Sequence, residues 1–181
     1  MSMKMIVVYY SNTGNNRYLA EKIARDKNCD LLEISPRIKT LYGLMISSLL
    51  KISFGIHKAK KDIKDYDTVI LCGPIWMGQF ISPLRDFLKK YGNDIKKLYF
   101  ASCCGGGSDT SGSKFGYGRV FKQIDTLMYG KLALAEAFSI ELITPAELKG
   151  KDEETIKLRL SDENFKGEIL EKYNQFINRI S

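Results

Sequence analysis

Three apolar runs in this chain end in the same way, and that repetition constrains the fold more than any single motif. Residues 5–9 (Met-Ile-Val-Val-Tyr), 67–72 (Asp-Thr-Val-Ile-Leu-Cys) and 97–102 (Lys-Leu-Tyr-Phe-Ala-Ser) each read as a short buried strand. Each runs directly into a turn rich in glycine, hydroxyls or amides, and a helical pattern follows each turn. Continuous apolar strands alternating with helices belong to a parallel sheet covered on both faces. Crossovers of one hand bring the ends of such strands to one edge, so the three turns share the carboxyl edge of the sheet. Ligands bind at that edge, where the strand order reverses.

The first turn is the most informative. Ser11, Asn12, Thr13, Gly14, Asn15 and Asn16 stand between the first strand and a helix predicted over 15–27, whose apolar face carries Leu19, Ala20, Ile23 and Ala24. A helix N-terminus presents unpaired N–H groups and partial positive charge, a ready site for a phosphate. Gly14 allows a sharp turn and a close approach. The competing reading is a plain capped helix, because Ser, Thr and Asn are also the best N-cap residues. The turns after the second and third runs favour the ligand reading.

The remaining elements follow from pattern. A strand is predicted over 30–34, a helix over 41–59, and a loop over 73–79 punctuated by two glycines and a proline. Ser82 is expected to cap a helix containing Pro83, Leu84, Phe87 and Leu88. After the glycine-rich turn at 103–109 come a helix over 116–129, a strand over 132–142 and a terminal helix over 163–180, with a polar stretch at 149–154. No repeat or linker divides the chain, so one domain over 1–181 is expected.

Composition removes several function classes. The longest apolar stretch is too short to span a bilayer, and the N-terminus lacks the layout of a signal peptide, so a cytoplasmic location is expected. The four cysteines (29, 72, 103, 104) form no C-x-x-C pair, and the single histidine, His57, is remote from them. No metal site and no disulfide framework are therefore expected. Cys103 and Cys104 read as small loop residues rather than a redox pair. No Ser–His–Asp arrangement or motif-placed pair of carboxylates is evident, so no catalytic side chain is assigned. The net charge is +7, and residues 36–64 carry +6 of it, with seven basic residues against Asp62 alone. A nucleic-acid surface recruits basic groups from several elements, so nucleic acid is not expected as a partner.

The sequence resembles the flavodoxin-like family, short-chain type. Ser11-Asn12-Thr13-Gly14-Asn15-Asn16 matches that family's phosphate loop, with Asn16 where a Thr is common. Gly73-Pro74-Ile75-Trp76-Met77-Gly78, followed by Ser82-Pro83 and an apolar helix, is similar to the loop beside its flavin ring. Ala101-Ser102-Cys103-Cys104-Gly105-Gly106-Gly107 is similar to its last flavin loop. The resemblance implies a three-layer, doubly wound α/β fold with a five-stranded parallel sheet in order 2-1-3-4-5. It also implies an FMN cofactor. Ser11 to Asn16 would hold the phosphate, with the Asn16 amide donating. Trp76 would lie against the ring, with Pro74 and Ile75 beside it and the backbone of Met77 and Gly78 at its N5 edge. Ser102, Cys103, Cys104, Gly105, Gly106 and Gly107 would meet the pyrimidine edge. Phe115 or Tyr117 would cover the second face. The expected function is electron transfer to a redox partner protein. An FMN-dependent NAD(P)H:quinone-type reductase with a small-molecule acceptor, and a non-catalytic binding or signalling module, are the alternatives.

The basic segment departs from the family's acidic carriers. Read as a helix, its stripe of Leu41, Met45, Leu49, Ile52 and Ile56 is expected to pack on the sheet. A second stripe, Tyr42, Ile46, Leu50 and Phe54, exceeds what a sheet-packed helix needs. Its expected uses, in order, are packing under a neighbouring loop, a homodimer contact, a lid near the flavin, or peripheral membrane contact through 41–64.

Overall fold

The structure is a computed structural model that describes residues 3–105, 116–148, 151–155 and 157–181. Its elements are β1 (Met5–Tyr9), α1 (Asn15–Asp26), β2 (Asp30–Glu33), α2 (Leu41–Leu49), β3 (Thr68–Cys72), β4 (Ile75–Trp76), β5 (Gln79–Phe80), α3 (Ser82–Tyr91), β6 (Lys97–Cys104), α4 (Tyr117–Met128), β7 (Leu132–Ser139), α5 (Asp152–Thr155) and α6 (Glu168–Asn178). Five strands pair in the order β2-β1-β3-β6-β7, all parallel. With the small β4–β5 hairpin set aside, this is the expected 2-1-3-4-5 order. The order reverses between β1 and β3.

Alternation along the strands feeds two cores. Ile6, Val8, Val69, Leu71, Leu98 and Phe100 face α3 and α4, where Leu84, Phe87, Val120 and Ile124 meet them. Val7, Ile70, Cys72, Tyr99 and Ala101 face the opposite way, against Leu19, Ala20 and Ile23 of α1 and Ile169, Tyr173 and Phe176 of α6. Every residue of β3 is buried, as a continuous apolar run in a central strand requires.

Two elements differ from expectation in ways that matter for function. The predicted helix over 41–59 stops at Leu49. Lys51 and Gly55 take left-handed backbone conformations, with φ of 56° and 78°, which break the helical path. Ile56 then pairs with Pro36 as an isolated antiparallel bridge. The face of α2 is also not the expected one. Leu44, Ser47 and Ser48 are buried, whereas Leu41, Met45, Leu49 and Ile52 lie exposed, so of the predicted packing stripe only Ile56 reaches the core.

The reason is a polar seat. Ser47 Oγ lies 2.7 Å from Ser82 Oγ, and the Ser82 N–H donates to Ser48 Oγ at 2.9 Å. Ser82 is thus the first helical residue of α3 and not its cap. The N-cap is Ile81, and α2 supplies the acceptor that the helix start lacks. Arg85 of α3 is buried and donates to the carbonyls of Ser47 and Ile52, which anchors the segment that leaves α2.

Candidate functional site

The site is built at the β1 and β3 carboxyl ends. The helix after β1 begins with Gly14 at φ 99°, a left-handed conformation that suits glycine. No side chain caps α1, and its first turn holds no acidic residue. The plain capped-helix reading is therefore set aside, and the first N–H groups of α1 have no side-chain acceptor. Ser11 shapes the turn instead, its Oγ accepting the Gly14 N–H at 3.1 Å.

Two of the turn's three asparagines, Asn15 and Asn16, are already engaged by the protein. Asn16 is buried; its Oδ1 accepts the Cys103 N–H at 2.8 Å and its Nδ2 donates to the Cys103 carbonyl at 3.0 Å. Asn15 grips the chain near its C-terminal helix in the same manner, accepting from Leu160 N–H at 2.9 Å and donating to the Leu158 carbonyl at 3.2 Å. The expectation that the Asn16 amide donates to a ligand is corrected here. A side chain long enough to reach across the edge ties the first turn to the third, and what remains free at positions 15 and 16 is backbone N–H.

The second turn is a hairpin. Ile75 pairs with Phe80 and Trp76 with Gln79, around Met77 and Gly78 with φ of 50° and 66°. Two consecutive positive φ values match the twist of a tight hairpin, and a bulky Met in the first of them is unusual. Gly73 lies at the end of β3, where an added Cβ would come within 2.5 Å of Leu84 Cδ1. That glycine lets α3 pack closely behind the hairpin.

Together these turns enclose a cavity of about 470 Å³. Asn12, Thr13, Asn15 and Asn16 line one end; Pro74, Ile75, Trp76, Met77 and Gly78 line a second wall; Cys103, Cys104 and Gly105 line a third. Leu41 and Met45 of α2, Tyr117 at the start of α4, and Ile140 complete it. None of these residues carries a charge. Ser11 and Gly14 are not among the lining residues, and Ser102 is fully buried, its Oγ without a hydrogen-bond partner among the described residues. Gly106, Gly107 and Phe115 lie outside the described residues. Burial pushes the Cys103 thiol up, far from a reactive thiolate range, and neither Cys103 nor Cys104 forms a disulfide.

Three lining residues were not predicted. Leu41 and Met45 were assigned to a stripe facing the sheet, and the inversion of α2 turns them toward the cavity. Ile140 was read as strand, but β7 ends at Ser139, whose Oγ accepts the Glu141 N–H and starts a short 3-10 turn.

Comparison with known proteins agrees with this fold. A family model described as a flavodoxin domain matches residues 48–138, half of the chain, and the chain belongs to that family. A flavoprotein from Lactobacillus acidophilus, solved in complex with FMN, superposes with a TM-score of 0.60 at 16% identity, over 75% of this chain and 93% of that one. A chain from Bacteroides eggerthii, assigned as a flavoprotein, gives 0.62 at 21% identity, over 75% and 88%. One from Bacteroides uniformis, assigned likewise, gives 0.61 at 18% identity, over 87% and 100%. At these identities the likeness is one of fold. A search of curated proteins found no significant match.

Proposed function

We propose that the chain is an FMN-binding flavoprotein that moves electrons through its cofactor. The observation that carries this is the cavity: an open helix N-terminus, an aromatic hairpin and a backbone-rich loop line one uncharged space of ligand size. The residues fit the group. Backbone N–H groups at 12, 13, 15 and 16 and the hydroxyl of Thr13 would hold the phosphate, with the α1 dipole supplying the positive potential that no side chain provides. Space is open around the Cβ positions of Gly14 and Gly105, so backbone can approach closely at both ends. Trp76 and Tyr117 would flank the ring, and apolar Leu41, Met45, Ile75 and Ile140 would exclude water. When bound, FMN supplies reversible redox chemistry, and burial with nearby hydrogen bonds tunes its potential.

A second reading, a reductase acting on a small apolar acceptor, is supported by a neighbouring groove of about 350 Å³. It shares Met45, Trp76 and Met77 with the cavity and has an almost wholly apolar lining.

Titration of the protein, stripped of any bound flavin, with FMN and with riboflavin tests the first reading. FMN is expected to bind more tightly. Thr13→Ala should weaken FMN by about tenfold while leaving riboflavin unchanged, the size of one hydrogen bond to a charged group. Equal losses would contradict the phosphate assignment, and failure to take up FMN would leave a binding module on the same fold. NADH or NADPH oxidation with a quinone then separates carrier from reductase, since a carrier gives no turnover.

A further inference from the structure

The outward surface of α2 is the least expected feature of the molecule. Tyr42 is 81% exposed, Leu49 67%, Leu50 61% and Ile46 52%, and Met77 of the adjoining hairpin is 66% exposed. A soluble domain scatters such residues; here they form one patch, while the serines of the same helix point inward. The patch is continuous with the apolar groove between α2 and the Trp76 hairpin.

Charge says what covers it. Residues 34–61 contain six lysines and arginines and no acidic residue. Beside the patch runs a second groove, of about 460 Å³, lined by Lys51, Arg85, Arg119 and Lys122 with no carboxylate. Arg119 lines both grooves, so the cationic rim abuts the apolar centre. Among the described residues, Lys51, Arg119 and Lys122 make no ion pair.

We propose that this surface docks on an anionic lipid bilayer, with Tyr42, Ile46, Leu49 and Leu50 entering the acyl boundary and Lys51, Arg119 and Lys122 meeting headgroup phosphates. An apolar centre bordered by a groove whose charged lining is all cationic matches that layered environment, with Tyr42 suited to the headgroup level. A second copy is a poor occupant, because a two-fold contact through this face sets the same cations against each other. Docking in this pose brings the Trp76 side of the cavity to the lipid surface. The proposal does not depend on the cofactor, so its failure is distinct from failure of FMN binding.

Co-sedimentation of the full chain with vesicles is the test. Binding is expected to vesicles of equal parts phosphatidylglycerol and phosphatidylcholine, to fall as salt is raised, and to be absent with phosphatidylcholine alone. Ile46→Glu with Leu49→Glu removes the apolar contact at exposed positions. Lys51→Glu with Lys122→Glu reverses the rim. Each pair should weaken binding by at least about tenfold, since each surface cation is worth about fivefold, with circular dichroism unchanged. If the first pair does not fold, Leu49→Ser alone serves in its place. No binding to anionic vesicles, equal binding to neutral ones, or undiminished binding by folded variants overturns the proposal. So does a wild-type dimer in sedimentation equilibrium that Leu49→Glu makes monomeric.

Discussion

α1 and α2 both border the candidate cavity, and they bury different kinds of face. α1 buries Leu19, Ala20, Ile23 and Ala24 against the sheet and turns its charged residues outward. α2 buries Ser47 and Ser48 beside a single leucine, Leu44, and turns Tyr42, Ile46 and Leu49 outward. The difference lies in the neighbour each helix meets. α1 lies on the apolar face of β1 and β3, which rewards the removal of hydrocarbon from water. α2 meets the start of α3, whose unpaired N–H groups reward a hydroxyl. Amphipathicity identifies two faces; the chemistry of the partner decides which one is buried.

One residue type placed on both helices gives the strongest way to break this comparison. Leu19→Ala in α1 should cost about 2–5 kcal/mol in urea unfolding, since it opens a cavity in a filled core. Leu49→Ala in α2 should change stability by less than about 0.5 kcal/mol, the usual size of an exposed substitution. Equal losses would show that α2 packs through its apolar stripe after all.

The next effect in size is at Asn16. Asn16→Ala removes both hydrogen bonds to Cys103 and leaves a buried backbone N–H and carbonyl unpaired, at a cost of about 2–3 kcal/mol. A loss below about 0.5 kcal/mol would mean that the first and third turns are not joined through this side chain.

Ser48→Ala tests the polar seat of α2 in the same assay. It deletes the acceptor for the first N–H of α3 and should cost about 1–2 kcal/mol, as loss of a helix cap does. Ser48→Thr should retain part of that stability, because the hydroxyl survives.

The smallest effect is a pH signature on the α1 side. Burial, aided by a 2.8 Å hydrogen bond to Asp162, holds the Tyr18 phenol up at about 12. The unfolded value is about 10. A group raised on folding favours the folded state while protonated in both states. Its contribution is therefore full below about pH 10 and is lost as pH rises through the folded value. Tyr18→Phe should flatten the decline of the urea midpoint over that window. An unchanged decline would remove Tyr18 as its source.

The order of the five sheet strands and of the longer helices, the parallel sheet and the three turns at one edge were legible from the chain, because each rests on local periodicity and turn chemistry. The apolar stripe of Leu41, Met45 and Leu49 was legible too, but not its direction. Met45 reaches the cavity only because Ser47 and Ser48 hold the opposite face of α2 against α3.

The sequence alone therefore determined the three turns at the carboxyl edge that line the candidate cavity and placed a helix start at the first of them. Tertiary structure decided what each polar side chain does there. Asn16 and Cys103 are 87 positions apart, and Asn15 and Leu160 are 145 apart. Periodicity carries no information about partners at that distance. Only the assembled sheet brings those groups within hydrogen-bonding range, and in doing so it commits the Asn15 and Asn16 amides to the protein itself.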